Sequence, residues 1–205
     1  MRAIVVGSGV FGLTAALEFR ARGHLVTLCD PGPVPHPLAE STDISKIVRL
    51  DYGADADYAA LGEVALGGWR RRNADAPLFH GTGVAVANDA ERVTTDAQER
   101  ALRAFVDASL PALADAPIVH RRLCVYGDTA DGHFWIARHP TRENLVVATG
   151  GSGHGFKFAP ALGALIADIA LGEPHPLAAK FRWRPELANL AGPLRGDAAR
   201  AATDQ

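Results

Sequence analysis

The chain is poor in cysteine and in lysine. Only Cys29 and Cys124 occur in 205 residues, which excludes a disulfide framework and a structural zinc site built on thiolates and fits a reducing, cytoplasmic setting. Lysine is confined to Lys46, Lys157 and Lys180, every other basic side chain being arginine or histidine, so each lysine marks a place where a compact ammonium serves better than a planar fork. No charge of one sign dominates. With 21 Lys and Arg against 23 Asp and Glu the formal charge is −2, too little positive field to draw nucleic acid or an anionic membrane. The apolar stretch Ala3–Leu17 is shorter than the about 20 residues of a membrane span, and Gly7, Gly9 and Gly12 within it suit a tight turn better than an export signal. The eight histidines show no H-x-x-x-H or comparable spacing, so no metal site is expected.

What is present is an ordinary globular composition, 48% hydrophobic and 21% charged, enough to build one core and at most a small second one. Arg2–Val6 reads as a strand, Gly7–Gly12 as a tight turn and Leu13–Arg20 as a helix stopped by Gly23. Leu25–Cys29 follows as a second buried strand with Asp30 at its end, 18 residues after Gly12, which completes a βαβ unit. Four alternate prolines, Pro31 to Pro37, impose a loop that leads into Ser41, Thr42 and Lys46–Arg49. Residues 57–72 carry Leu61, Val64, Ala65 and Trp69 at helical spacing, with Arg70, Arg71 and Arg72 closing the last turn. A strand is expected at Gly83–Ala87, then a helix opened by the capping box Thr95–Gln98, with Leu102, Phe105 and Val106 facing inward and Pro111 ending it. Further strands are expected at Ile118–Tyr126, His133–Ala137 and Leu145–Thr149. The last runs into Gly150–Phe158 and a helix from about Pro160 to Leu171 that buries Leu162, Leu165, Ile166 and Ile169 and stops at Gly172. Residues 186–205 read as a flexible tail.

The pattern G-x-G-x-x-G between a strand and a helix lets backbone approach a pyrophosphate at the helix N-terminus. Gly7, Ser8, Gly9, Val10, Phe11 and Gly12 therefore form a candidate dinucleotide turn, and Asp30 a candidate acceptor for ribose hydroxyls. An acid there disfavours a 2′-phosphate, leaving FAD or NAD ahead of NADP. The second glycine-rich turn, Gly150–Phe158, offers further N–H groups suited to an anionic flavin or its ribityl-pyrophosphate, for which a plain NAD fold has little use. Lys157, beside that turn in a chain with three lysines, is either a working cation or a surface one. In the expected strand, alternation puts Cys124 on one face with Arg122 and Tyr126, where guanidinium groups favour the thiolate; taken alone it reads as a small packing residue. Cys29, inside the second strand, reads as a buried hydrophobe.

Gly7–Gly12, Lys46-Ile47-Val48-Arg49 with Tyr52-Gly53, Leu123-Cys124-Val125-Tyr126 and Gly151-Ser152-Gly153-His154-Gly155-Phe156-Lys157-Phe158 together resemble the monomeric sarcosine oxidase and N-methyltryptophan oxidase family of flavin amine oxidases, over roughly residues 1–87 and 98–185. The resemblance implies an α/β fold, a Rossmann-like FAD-binding domain built from those two segments. It implies FAD with its pyrophosphate at Gly7–Gly12, its ribose at Asp30 and its 8-methyl group bonded to the sulfur of Cys124. It also puts Ser41, Thr42, Lys46, Gly151, Gly153, His154, Gly155, Phe156 and Lys157 on the cofactor side, and makes Arg49 and Lys157 the two cations that hold a substrate carboxylate over the ring.

The chain departs from the family between Gly83–Ala87 and the helix after Thr95. There it has only Asn88–Thr94, where relatives carry most of a substrate-binding sheet, the lysine that assists reaction with oxygen and an aromatic wall. Ala137 stands where many relatives have an acid, and the run before Lys46 lacks their histidines. The expectation is an FAD-dependent oxidation of a small amine or amino acid to an imine by a protein with a much reduced or absent substrate domain. The competing expectation is a flavin-binding protein that does not turn over, or does so only beside a partner. Lost strands leave an open sheet edge and an apolar face, which predicts a homodimer or a partner chain covering them.

Overall fold

The computed structural model describes residues 1–37, 39–42, 46–48, 50, 52–79, 96–118 and 127–187. In chain order its elements are β1 (Arg2–Val6), α1 (Val10–Ala21), β2 (Leu25–Cys29), α2 (Ala56–Asn73), α3 (Asp96–Ser109), β3 (Trp135–Arg138), β4 (Val146–Thr149) and α4 (Ala159–Leu171). They fall into two compact units, Met1–Thr82 with Tyr126–Gly192 and Gly83–Val125 with Pro193–Gln205. Helix α3 lies in the second unit. The expected strands at Gly83–Ala87 and Ile118–Tyr126, the cap at Thr95 and most of the tail lie outside the described residues.

In the first unit β1 and β2 pair in parallel, Arg2 opposite Leu25 and Val6 opposite Cys29, and α1 makes the crossover, giving the Rossmann-like βαβ start. Both strands alternate, and only one face of the pair is covered. Ala3 and Val26 pack on the core, whereas Ile4 and Val6 are 75% and 81% exposed and Leu25 is exposed too. Leu25–Cys29, expected as a buried strand, is thus covered on one face and exposed on the other. Cys29 falls on the open face and is an exposed free thiol, because period-2 alternation sends Leu25, Thr27 and Cys29 outward together.

Helix α4 is the centre of the unit, with Leu162, Leu165, Ile166 and Ile169 all buried, and it ends at Gly172 in the left-handed region, the C-terminal stop its sequence announces. It presses so closely on α1 that a Cβ at Gly163 would sit 2.6 Å from the Thr14 carbonyl oxygen. Arg22 locks the far ends of the two helices together, its guanidinium meeting Glu18 at 2.9 Å, Asp168 at 2.7 Å and Glu173 at 2.9 Å. From α2 come Tyr58, Leu61 and Ala65; Val64, expected on the same face, is exposed, because the glycines Gly62 and Gly68 form the buried edge instead. The antiparallel hairpin β3–β4, Trp135 opposite Thr149, adds Ile136, and Phe134, Phe158 and Phe181 close the core.

The second unit shows α3 followed by a 3₁₀ turn, Pro111–Leu113, with Arg103 Nη1 donating to the carbonyls of Ala114 and Ala116 at 3.3 and 2.6 Å. Leu102 and Phe105, expected to face inward, are exposed.

Candidate functional site

The first glycine-rich turn is built by three close approaches. Gly7 has φ +95°, a value that favours glycine, and its amide donates to the Cys29 carbonyl at 2.8 Å, extending the ladder by one step. Helix α1 then rises so near the strand that a Cβ at Gly12 would lie 1.9 Å from the Gly7 carbonyl oxygen, the packing role of the third glycine in this pattern. Asp30 ties the turn to the end of β2. Its Oδ2 accepts from the Ser8 amide at 2.7 Å and from the Ser8 hydroxyl at 2.8 Å, and its Oδ1 accepts from the Gly32 amide at 3.2 Å. The Ser8 hydroxyl, then the Ser8 and Gly32 amides, hold the Asp30 carboxyl below its ordinary value, so it stands ionised and able to accept further hydrogen bonds.

Helix α1 begins at Val10 with Gly9 as a cap that offers no side chain. Ser41 fills that role from a distant loop, its hydroxyl accepting from the Val10 amide at 2.8 Å. Thr42 donates its amide to the Ala39 carbonyl at 2.9 Å and so closes the loop that delivers Ser41.

The second turn follows β4 and is also left-handed, at Gly150, Ser152 and Gly153. Buried Ser152 donates its hydroxyl to the Gly150 carbonyl at 3.1 Å and accepts from the Thr129 amide at 3.3 Å, while the Gly151 carbonyl takes both the His154 and Gly155 amides, at 2.8 and 2.9 Å. The two turns touch. The ring of Phe11 lies 3.3 and 3.2 Å from where Cβ atoms at Gly151 and Gly155 would stand, so glycine in the second turn lets the aromatic residue of the first pack closely. Phe156 stacks on Trp69 with centroids 5.7 Å apart, and Lys46 lies over the other part of this pair, 5.7 Å from the Phe156 centroid, with its Nζ donating to the Glu40 carbonyl at 2.6 Å.

Lys157 and His154 turn inward. Lys157 is 5% exposed and His154 3%. The Lys157 ammonium donates to the Tyr52 hydroxyl at 2.8 Å and lies over the Tyr52 and Phe158 rings at 5.0 and 5.7 Å, and its carbonyl accepts from Trp69 Nε1 at 2.7 Å. His154 Nδ1 meets the Tyr52 hydroxyl at 3.1 Å and Nε2 the Gly132 carbonyl at 3.2 Å. The imidazole is therefore a core group, and the surface it can offer a cofactor is its backbone. Arg49 and Cys124 lie outside the described residues. Tyr52, Tyr58, Trp69 and the Gly132 carbonyl were not among the predicted site residues; spacing gives no signal for them, since they come from the loop before α2, from α2 itself and from the loop before β3.

The arrangement fits an adenine dinucleotide. A Cβ at Gly7 would meet nothing within 4 Å, which leaves that backbone open to a pyrophosphate at the start of α1, and ionised Asp30 stands beside it for ribose hydroxyls. Comparison with known proteins agrees. The family model for FAD dependent oxidoreductases matches residues 2–101 and 78–169. A monomeric sarcosine oxidase of Streptomyces avermitilis is 37% identical over 92 residues, 42% of this chain and 24% of the relative. An N-methyl-L-tryptophan oxidase of Salmonella dublin is 51% identical over 69 residues, 34% of this chain and 18% of the relative. The matches thus span less than a quarter of those relatives' lengths. The crystal structure of the deglycating enzyme fructosamine oxidase (Amadoriase II) of Aspergillus fumigatus in complex with FSA superposes with a TM-score of 0.70 at 17% identity, covering 91% of this chain and 90% of that one, a likeness of fold.

Proposed function

Because the chain belongs to the family of FAD dependent oxidoreductases, we propose that it binds FAD with the pyrophosphate at Gly7–Gly12 and the ribose at Asp30, and that it oxidises a small amine or amino acid. The observation that carries this reading is the contact of the two glycine-rich turns through Phe11. It brings the start of α1, ionised Asp30 and the turn bearing Lys157 into one region of one unit. FAD, when bound, would supply the acceptor for a hydride from the carbon beside the amine nitrogen, so that the amine is oxidised to an imine once its nitrogen gives up a proton. The protein's part is orientation. Gly7 and Gly9 let backbone approach the pyrophosphate, Ser41 sets the first amide of α1, and Lys157, with Arg49, holds the substrate carboxylate so that the C–H bond points at the ring. Cys124 is the proposed covalent anchor, the residue whose sulfur would hold the flavin 8-methyl carbon.

Two further readings accompany this one. The open face of the β1–β2 pair suits a second copy of the chain or a partner, and an exposed Cys29 thiol suits a reducing, cytoplasmic setting. The experiment that tests the function is flavin retention followed by peroxide detection with N-methyl amino acids and cyclic imino acids. The expected result is yellow protein that forms peroxide and keeps its flavin through acid precipitation, with Cys124→Ala releasing it. Flavin bound without turnover favours the non-catalytic alternative, and protein that stays colourless in excess FAD overturns the cofactor reading itself.

A further inference from the structure

The second residue of the first glycine-rich turn is a serine, and it turns two donors onto one oxygen. The Ser8 amide at 2.7 Å and the Ser8 hydroxyl at 2.8 Å both donate to Asp30 Oδ2. A carboxylate offers about four lone-pair positions, two on each oxygen, and both of these bonds are short and charge-assisted. Oδ2 is therefore filled. Oδ1 accepts one longer bond, from the Gly32 amide at 3.2 Å, which leaves it a second lone pair. The carboxylate is held from both sides, by Ser8 at the start of the turn and by Gly32 in the loop after β2, while the Gly7 amide on the Cys29 carbonyl at 2.8 Å keeps the turn beside the end of β2. Alanine in place of Ser8 keeps the amide bond and removes the hydroxyl alone.

We propose that Ser8 is a specificity residue for the adenosine ribose: by filling Asp30 Oδ2 it leaves the carboxylate one accepting position, on Oδ1, so that the chain reads one of the two ribose hydroxyls instead of the pair. The proposal rests on the reading of Asp30 as the ribose acceptor, and it adds which oxygen accepts and how many hydroxyls count. A carboxylate with both oxygens open can set them against the vicinal 2′- and 3′-hydroxyls and take both. A serine that only packs the turn gives no such asymmetry, because loss of its oxygen then weakens every nucleotide alike.

The test uses the full chain carrying Cys124→Ala, freed of flavin, and titrates it at neutral pH with ADP, 2′-deoxy-ADP and 3′-deoxy-ADP. One deoxy analogue is expected to bind about tenfold more weakly than ADP and the other within about twofold of it. With Ser8→Ala added, ADP should still bind and both analogues should be about tenfold weaker than ADP, because Oδ2 now takes the second hydroxyl. The same proteins labelled with carbon-13 at the aspartate carboxyls give a reading without nucleotide. The Asp30 signal, identified by its loss in Asp30→Asn, is expected to move in Ser8→Ala. Both analogues weakened before Ser8 is changed, or a one-sided pattern that survives Ser8→Ala, overturns the proposal. An Asp30 signal that stays in place in Ser8→Ala overturns the hydroxyl bond on which it is built. ADP that fails to bind, or two analogues that bind as ADP does, overturns the ribose reading, and the ligand-free signal then decides whether Ser8 holds the carboxylate.

Discussion

At the scale of single residues, Asp30 bears the most weight, because it holds the first turn and is the proposed ribose acceptor. Asp30→Asn keeps the volume but removes the charge, and its amide must turn a donor either toward the Gly32 amide or toward the Ser8 amide and hydroxyl. FAD affinity is expected to fall about tenfold, read by flavin fluorescence titration, with far-ultraviolet circular dichroism unchanged. The pH dependence has the same origin. The Asp30 carboxyl lies below its ordinary value in the folded protein, chiefly through the Ser8 hydroxyl, so the order it gives the turn is complete above the ordinary carboxylate value of about 3.9 and lost as pH falls through the lowered one. FAD binding should weaken in that acid range in the wild type and lose this dependence in Asp30→Asn. Asp30 was legible in the sequence through its distance from Gly12. Tyr52 as the partner shared by Lys157 and His154 was not, because it is 102 residues from the histidine and no local periodicity reports a contact across that separation.

At the scale of elements, α1 and α4 set the geometry of both turns, and glycine decides how near they come. Gly163→Ala puts a methyl 2.6 Å from the Thr14 carbonyl oxygen and 3.1 Å from Glu18 Cβ, and backbone cannot swing aside as a flexible side chain does. The expected loss is about 2 kcal/mol, seen as a fall of roughly 4–8 °C in the melting midpoint. Element junctions also depend on acid. Burial pushes the Asp55 and Asp131 carboxyls up, but Lys180 and the Tyr58 amide at the first, and the His133 amide and Arg184 at the second, draw both below their ordinary values. The stability these groups give is present above the ordinary carboxylate range and lost as pH falls through their lowered values. Burial likewise lowers the His133 imidazole, so acidification from neutral pH removes stability there first, which a melting series against pH resolves. Helices α1, α2 and α4 were legible because glycines stop them or apolar spacing runs through them. The errors came where a pattern allows two readings. Val64 has the right spacing for the buried face of α2, but Gly62 and Gly68 claim that face by close approach. Leu25–Cys29 is an apolar run that composition cannot distinguish from a strand buried on both sides.

At the scale of the whole molecule, the open face of the β1–β2 pair is the largest departure from a buried-strand reading, and it is apolar. Ile4 and Val6 are 75% and 81% exposed, and Leu25 and Cys29 lie on the same face. Leaving two branched aliphatic side chains nearly bare in successive outward positions of one strand forgoes about 1.5–3 kcal/mol for each that a neighbour covers, so association on this face is favoured once a matching apolar surface is available. A second copy supplies one without any other component, since a two-fold axis sets the same patch against itself. Sedimentation velocity from low to high micromolar concentration is expected to show a dimer. Val6→Lys, which puts a charge on the patch where β1 ends opposite Cys29, is expected to give a monomer with unchanged helix content, because the Val6 side chain lies on the open face. A wild-type protein that sediments as a monomer throughout, or a Val6→Lys variant that remains dimeric, removes this face from the assembly and leaves it to a partner chain of different sequence.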